Sequence, residues 1–181
     1  MPLKAGPLST KGSPYNASCT IARSLDIIGA RWSLLILREA LNGITRFGDF
    51  REILGVAPDV LADRLASLVD AEVLEKRPYQ VPGERPRDEY VLTQRGRDLK
   101  LVLAALQEWG DKYVPSEFGK TVTRRRRSDD AEVHVAFVDA DGVVVPDDEV
   151  YSKPKPGTPA EAAFARRGEL RQRAAAVNVA R

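Results

Sequence analysis

The 181-residue sequence contains one cysteine and one histidine, and each scarcity closes off a class of chemistry. A lone thiol builds neither an internal disulfide nor a multi-thiolate zinc site, and it suits a reducing compartment. Cys19 and His134 lie far apart in the sequence and give no nucleophile–base pair, and no Gly-rich phosphate loop is present, so an enzyme is the remotest reading. No apolar run reaches about 18 residues, and the Pro/Gly/Ser-rich N-terminus lacks a hydrophobic signal core; a cytoplasmic protein without membrane contact is expected. Nor does one sign of charge dominate. With 28 basic and 26 acidic residues the net charge is +2, so any cationic surface must come from local placement. What is present suffices for a core: 43% of residues are hydrophobic, in a length that fits one domain and an appendage.

Apolar spacing organises the first half of the chain. Ile21, Leu25 and Ile28 recur at helical intervals up to Gly29. Trp32 to Leu41 is apolar nearly all round, the mark of a core helix, and Asn42-Gly43 stops it. Phe47, Phe50, Ile53 and Leu54 form a third stripe closed by Gly55, and Leu61, Leu65 and Leu68 a fourth that opens at Pro58. Two short helices joined by Gly55-Val56-Ala57 read as a helix-turn-helix. Leu74 to Val81 and Asp88 to Leu92 then read as a hairpin with a Pro/Gly-rich tip, the wing. Thr93 caps a helix with Leu99, Leu103, Leu106 and Tyr113 on one face, and Trp32 and Trp109 are expected in the core or in a pocket wall. Leu101, Val102 and Ala105 widen that face beyond what one small domain needs, which predicts a partner helix from a second subunit.

The expected fold is mainly α with a small β wing (α+β): a winged helix-turn-helix plus a small C-terminal β-hairpin extension. Its divisions are a flexible leader (1–17), a DNA-binding and dimerisation domain (18–113), a polar linker with the Arg124–Arg127 run (114–131), a hairpin extension (132–159) and a frayed helical or disordered tail (160–181). In the extension Val133, Val135 and Phe137 alternate, Asp141-Gly142 turns, and Val143-Val144-Val145 answers.

The stretch from Cys19 to Tyr113 resembles the HxlR-type family of bacterial winged-helix regulators. The residues that carry the resemblance are Cys-Thr-Ile-Ala-Arg-Ser-Leu-Asp (19–26), Gly-Ala-Arg-Trp-Ser-Leu-Leu-Ile-Leu-Arg-Glu-Ala (29–40), Arg-Phe-Gly-Asp-Phe (46–50), Val-Leu-Ala-Asp-Arg-Leu (60–65), Arg-Pro-Tyr-Gln (77–80), Glu-Tyr-Val-Leu-Thr (89–93) and Gly-Arg-Asp-Leu (96–99). The resemblance implies a homodimer on a pseudo-palindromic operator in double-stranded DNA, answering a small-molecule effector or redox stress. Longer members commonly carry a cysteine-containing metal segment near the C-terminus. Residues 133–157 have no cysteine, so no structural zinc and no cofactor are expected.

With Leu61, Leu65 and Leu68 facing inward, Pro58, Asp59, Ala62, Asp63 and Arg64 are the candidate base-reading positions. Residues 57–72 hold one arginine against four acids, a departure from the hydroxyl, amide or basic groups the family more often places there. Between Lys76 and Lys100 the balance reverses to seven cations and four anions. Arg85 and Arg87 near the wing tip, and Arg46 and Arg51 flanking the first helix of the pair, are the candidate phosphate contacts. Cys19, with Arg23 one turn on, is the redox-sensing candidate that the resemblance suggests; a small buried apolar residue is the alternative. His134 is expected to be structural. The acidic helix also leaves room for a second reading, a dimeric ligand- or protein-binding module with weak DNA affinity.

Overall fold

The computed structural model describes residues 19–179. Ile27–Val145 is one compact unit, and the described residues 19–26 fall in another with residues 146–179. Helix α1 (Thr20–Ile28) begins in the second of these and ends in the first.

In the larger unit, α2 (Arg31–Leu41), α3 (Phe47–Leu54) and α4 (Pro58–Asp70) surround one apolar cluster. Ile36, Leu37, Phe50, Leu61, Leu65 and Leu68 are wholly buried in it. Each break has a local cause. Gly43 and Gly55 take positive φ values of 94° and 59°, which end α2 and α3, and the Gly55 N–H closes α3 on the Arg51 carbonyl at 2.9 Å. Val56, buried in the following turn, pins the chain before Pro58 starts α4 with a preset φ.

Strands β1 (Leu74–Tyr79) and β2 (Arg87–Leu92) pair antiparallel from Leu74↔Leu92 to Tyr79↔Arg87. The wing root is anchored twice. Thr93 donates its hydroxyl to the Glu72 carbonyl at 2.7 Å and caps α5 (Gln94–Asp98) by accepting from the Gly96 N–H. A Cβ on Gly96 would strike the Val73 carbonyl and the Leu92 side chain, so only glycine lets α5 lie this close to the sheet.

One continuous helix was expected from Thr93 to Tyr113. The chain instead restarts at Leu99 and runs on as α6 (Lys100–Tyr113). Leu99 and Leu103 pack against the core, whereas Leu106, Trp109 and Tyr113, on other sides of the same helix, are exposed by 49%, 57% and 59%.

Residues 114–131 are folded back rather than free. Short bridges Ser116↔Gly119 and Arg125↔Glu132 close two turns, and the Gln107 side chain donates to the Val122 carbonyl at 2.9 Å. The extension contains β3 (Phe137–Val138) and β4 (Val144–Val145), two residues each. The alternation from Val133 does not lengthen β3, because the Val135 N–H is taken by the Glu108 carboxylate on α6 at 3.1 Å. Asp139 closes the turn by accepting from the N–H groups of Asp141 and Val143.

In the smaller unit, a 3₁₀ turn at Asp147–Glu149 is followed by α7 (Pro159–Val179), whose Ala, Arg and Glu content favours a helix. The expected leader (1–17) lies outside the described residues. Among the described residues no helix is long and apolar enough to cross a membrane.

Candidate nucleic-acid interface

Helix α4 divides cleanly along its length. Leu61, Leu65 and Leu68 fix it to the core, and Asp59, Ala62, Asp63, Ala66, Ser67 and Asp70 form an exposed row. Pro58 is exposed at its start. Arg64, expected to face outward, is half-buried at the edge of the row and forms no ion pair among the described residues. The row extends further than the sequence reading took it. Ser67 belongs to it, donating to the Asp63 carbonyl at 2.8 Å and leaving its lone pairs outward. Asp59 has a structural task of its own. Ala57, at the N-cap, offers no side-chain acceptor, so the Asp59 charge in the first turn is what complements the positive end of the helix.

The segment entering α3 ties the helix pair to the wing. The Tyr90 N–H donates to the Thr45 carbonyl at 2.7 Å, and the Thr45 hydroxyl donates to the Glu89 carboxylate at 2.7 Å. Arg46 bridges Glu89 through its backbone and lays its guanidinium over the Tyr79 ring at 4.5 Å. Sequence spacing identified Arg46 but missed Thr45, Tyr79 and Glu89. The usable signal was a Thr-Arg pair directly before α3 with a tyrosine and a glutamate in the facing strands.

The wing's cations are mostly occupied. Lys76 pairs with Asp88, Arg77 with Glu75, and Arg95 with Glu72. Arg97, though exposed, donates to the Leu92 carbonyl at 2.7 Å. Arg87, expected to be available at the tip, is 3.2 Å from Glu84 across the turn and so is partly neutralised. Arg85 is exposed and, like the exposed Arg51, has no ion-pair partner among the described residues. Of the candidate contacts, Arg46 is stacked on Tyr79, and Arg51, Arg64 and Arg85 have no ion-pair partner among the described residues.

The Arg124–Arg127 run is largely consumed within its own turn and by α6. Arg124 donates to Gln107 at 2.8 Å, Arg125 lies 3.3 Å from Asp130, and Arg126 grips Asp129 at 2.6 Å. Nearby, Lys120 and Glu132 pair at 2.5 Å; the ammonium holds the Glu132 carboxyl below its ordinary range, and the carboxylate holds Lys120 above its own. His134 stands 3.7 Å from Glu108 and 3.9 Å from Glu132, on the surface. Among the described residues no cluster of His, Cys, Asp and Glu is arranged to hold a metal ion. Cys19 is half-buried just before α1, its carbonyl accepting from the Arg23 N–H at 3.1 Å, with Arg23 exposed.

A family model for HxlR-like helix-turn-helix proteins matches residues 27–118. An uncharacterized HTH-type transcriptional regulator of Mycobacterium tuberculosis is 39% identical over 109 residues, which cover 60% of this chain and 68% of that protein. YdeP of Bacillus subtilis, also described as an HTH-type transcriptional regulator, is 35% identical over 97 residues, or 52% of this chain and 73% of YdeP. The crystal structure of PA1607, described as a candidate transcription factor, superposes with a TM-score of 0.66 at 36% identity, covering 77% of this chain and 96% of that one. A second such protein, PA1374 from Pseudomonas aeruginosa, gives 0.56 at 37% identity over 77% of this chain and 94% of its own. Both superpositions take in more of the chain than residues 27–118, which are about half of it. By its matched residues, its relatives and its helix pair with a wing, the chain belongs to the HxlR-like helix-turn-helix family of transcriptional regulators.

Proposed function

We propose that the protein is a sequence-specific repressor that grips a pseudo-palindromic operator as a homodimer and lets go in response to a small-molecule or redox signal. What supports this reading is the exposed row of α4 with the half-buried Arg64 among it, together with an Arg46 stacked on Tyr79 of the wing and exposed Arg51 and Arg85 side chains. A recognition helix in the major groove uses the side chains of its N-terminal half, here Pro58, Asp59, Ala62, Asp63 and Arg64. Arg64 alone among them donates to guanine, and the aspartates accept from cytosine N4. Arg46, Arg51 and Arg85 take phosphates, and Arg87 joins them when Glu84 releases it. Dimerisation uses the first and last helices of the domain. Ile21 and Leu25 on α1 and Leu101, Val102, Leu106, Trp109 and Tyr113 on α6 leave large apolar side chains in water. Cys19, the only thiol, is the candidate redox group, acting through an adduct or a bridge between subunits.

The three aspartates of the α4 row favour a second reading, a dimeric ligand- or protein-binding module with weak DNA affinity. Selection of binding sites from a random duplex library, followed by anisotropy titration of the winner, separates the two. The repressor reading expects affinity on the order of 10⁻⁸ M or tighter, and at least about 1,000-fold over a scrambled duplex. Equal weak binding to both duplexes would leave the second reading.

A further inference from the structure

We propose that the hairpin around β3 and β4 is a second dimerisation element that docks on another copy of this chain. This rests on the reading that the protein is a dimer through α1 and α6, and it names a surface which that reading leaves out. Two strands of two residues each do not hold together in water on their own. This pair also leaves both faces open, with Phe137, Val138, Val143 and Val144 exposed by 53%, 58%, 61% and 65%. Successive strand residues point to opposite faces, so a hairpin built this way is finished only when something apolar covers it.

Its position says what that cover is. Residue Val135, two before Phe137, is tied to Glu108, and Arg124 and Val122 are tied to Gln107, all through hydrogen bonds onto α6. Glu108 lies one and two turns beyond Ala105 and Leu101 on the same flank of the helix. The chain thus enters the hairpin from the Leu101–Ala105 flank of α6, at the border of its open apolar stripe.

The areas point the same way. At their observed exposures the five large α6 side chains offer roughly 500 Å². Obligate homodimers bury about 1,000 Å² or more per subunit. The four hairpin side chains, over both faces, expose roughly 400 Å² more, which brings the total near that figure.

The test measures the dimer dissociation constant of the full chain by sedimentation, comparing the parent with F137D/V144D and with L106E/W109E. All four positions are exposed, so circular dichroism should match the parent. The hairpin variant should dissociate at least about tenfold more readily, and the α6 variant more readily still. Hydrogen exchange gives a second readout on the unaltered chain: amides of residues 137–145 should be protected in the dimer and lose protection on dilution to monomer. A dimeric parent whose constant is unchanged by F137D/V144D, or whose hairpin amides exchange alike at all concentrations, overturns the hairpin proposal and leaves the α1–α6 dimer standing. A parent monomeric at micromolar concentration overturns both.

Discussion

The helices from Arg31 to Asp70 and the segment from Lys120 to Val145 share one compact unit, yet different forces hold them. In the first, every apolar stripe ends in a common core, with Ile36, Leu37, Phe50, Leu61, Leu65 and Leu68 wholly buried. In the second, no apolar side chain is buried, and the attachments are hydrogen bonds and ion pairs to Gln107 and Glu108 and between Lys120 and Glu132. Burial of a Leu side chain stabilises by about 1.5–3 kcal/mol, whereas exposed ion pairs give about 0–1 kcal/mol. The first region is therefore held by its own core, and the second by surface hydrogen bonds and ion pairs.

Core truncation should give the largest contrast. Leu65→Ala should cost about 2–5 kcal/mol in urea unfolding, while Val144→Ala in the extension should stay within about 0.5 kcal/mol for the monomer. Equal costs would dissolve the distinction. Next comes the apolar stripe. Trp109→Glu alone should weaken the dimer by about 2 kcal/mol or more, as central aromatic contacts do, without lowering monomer stability.

A smaller effect is expected from Asp59→Asn with Asp63→Asn. Removing two anions from the α4 row should raise affinity for scrambled DNA more than for the selected site, narrowing the specificity ratio. The smallest concerns pH. Glu132 is held below its ordinary carboxyl range by Lys120, so the stabilisation is present above that ordinary range, near pH 4, and is lost as pH falls through the depressed value. Amide exchange around residues 120–135 should quicken on acidification, and Glu132→Gln should remove that dependence.

The same contrast explains what could be read from the sequence. The stripes Leu61–Leu65–Leu68 and Phe47–Phe50–Leu54 face a core that their own chain supplies, so periodicity located α3, α4 and the wing. Leu106, Trp109 and Tyr113 have the same periodicity but face away from that core, and spacing alone does not tell an internal face from an intermolecular one. The break at Leu99 and the tight Gly96–Val73 approach also leave no mark on hydrophobic spacing. Site residues fared according to their local pairing. Arg85 has no ion-pair partner among the described residues, but Arg87 meets Glu84 across a turn whose geometry the residue types do not set. Likewise Thr45, Tyr79 and Glu89 meet Arg46 only once the wing folds against the entry to α3.

The division of labour between α4 and the wing is tested most directly by one paired titration. Arg64→Ala and Arg85→Ala are measured against the selected operator, its single-base variants and a salt series. The account predicts that Arg64→Ala relaxes preference at one base pair in each half-site, at about 1–3 kcal/mol. Arg85→Ala should keep the preference and reduce the log–log salt slope by about 1 per wing. Both variants binding like the parent, or the two effects appearing exchanged, would contradict it.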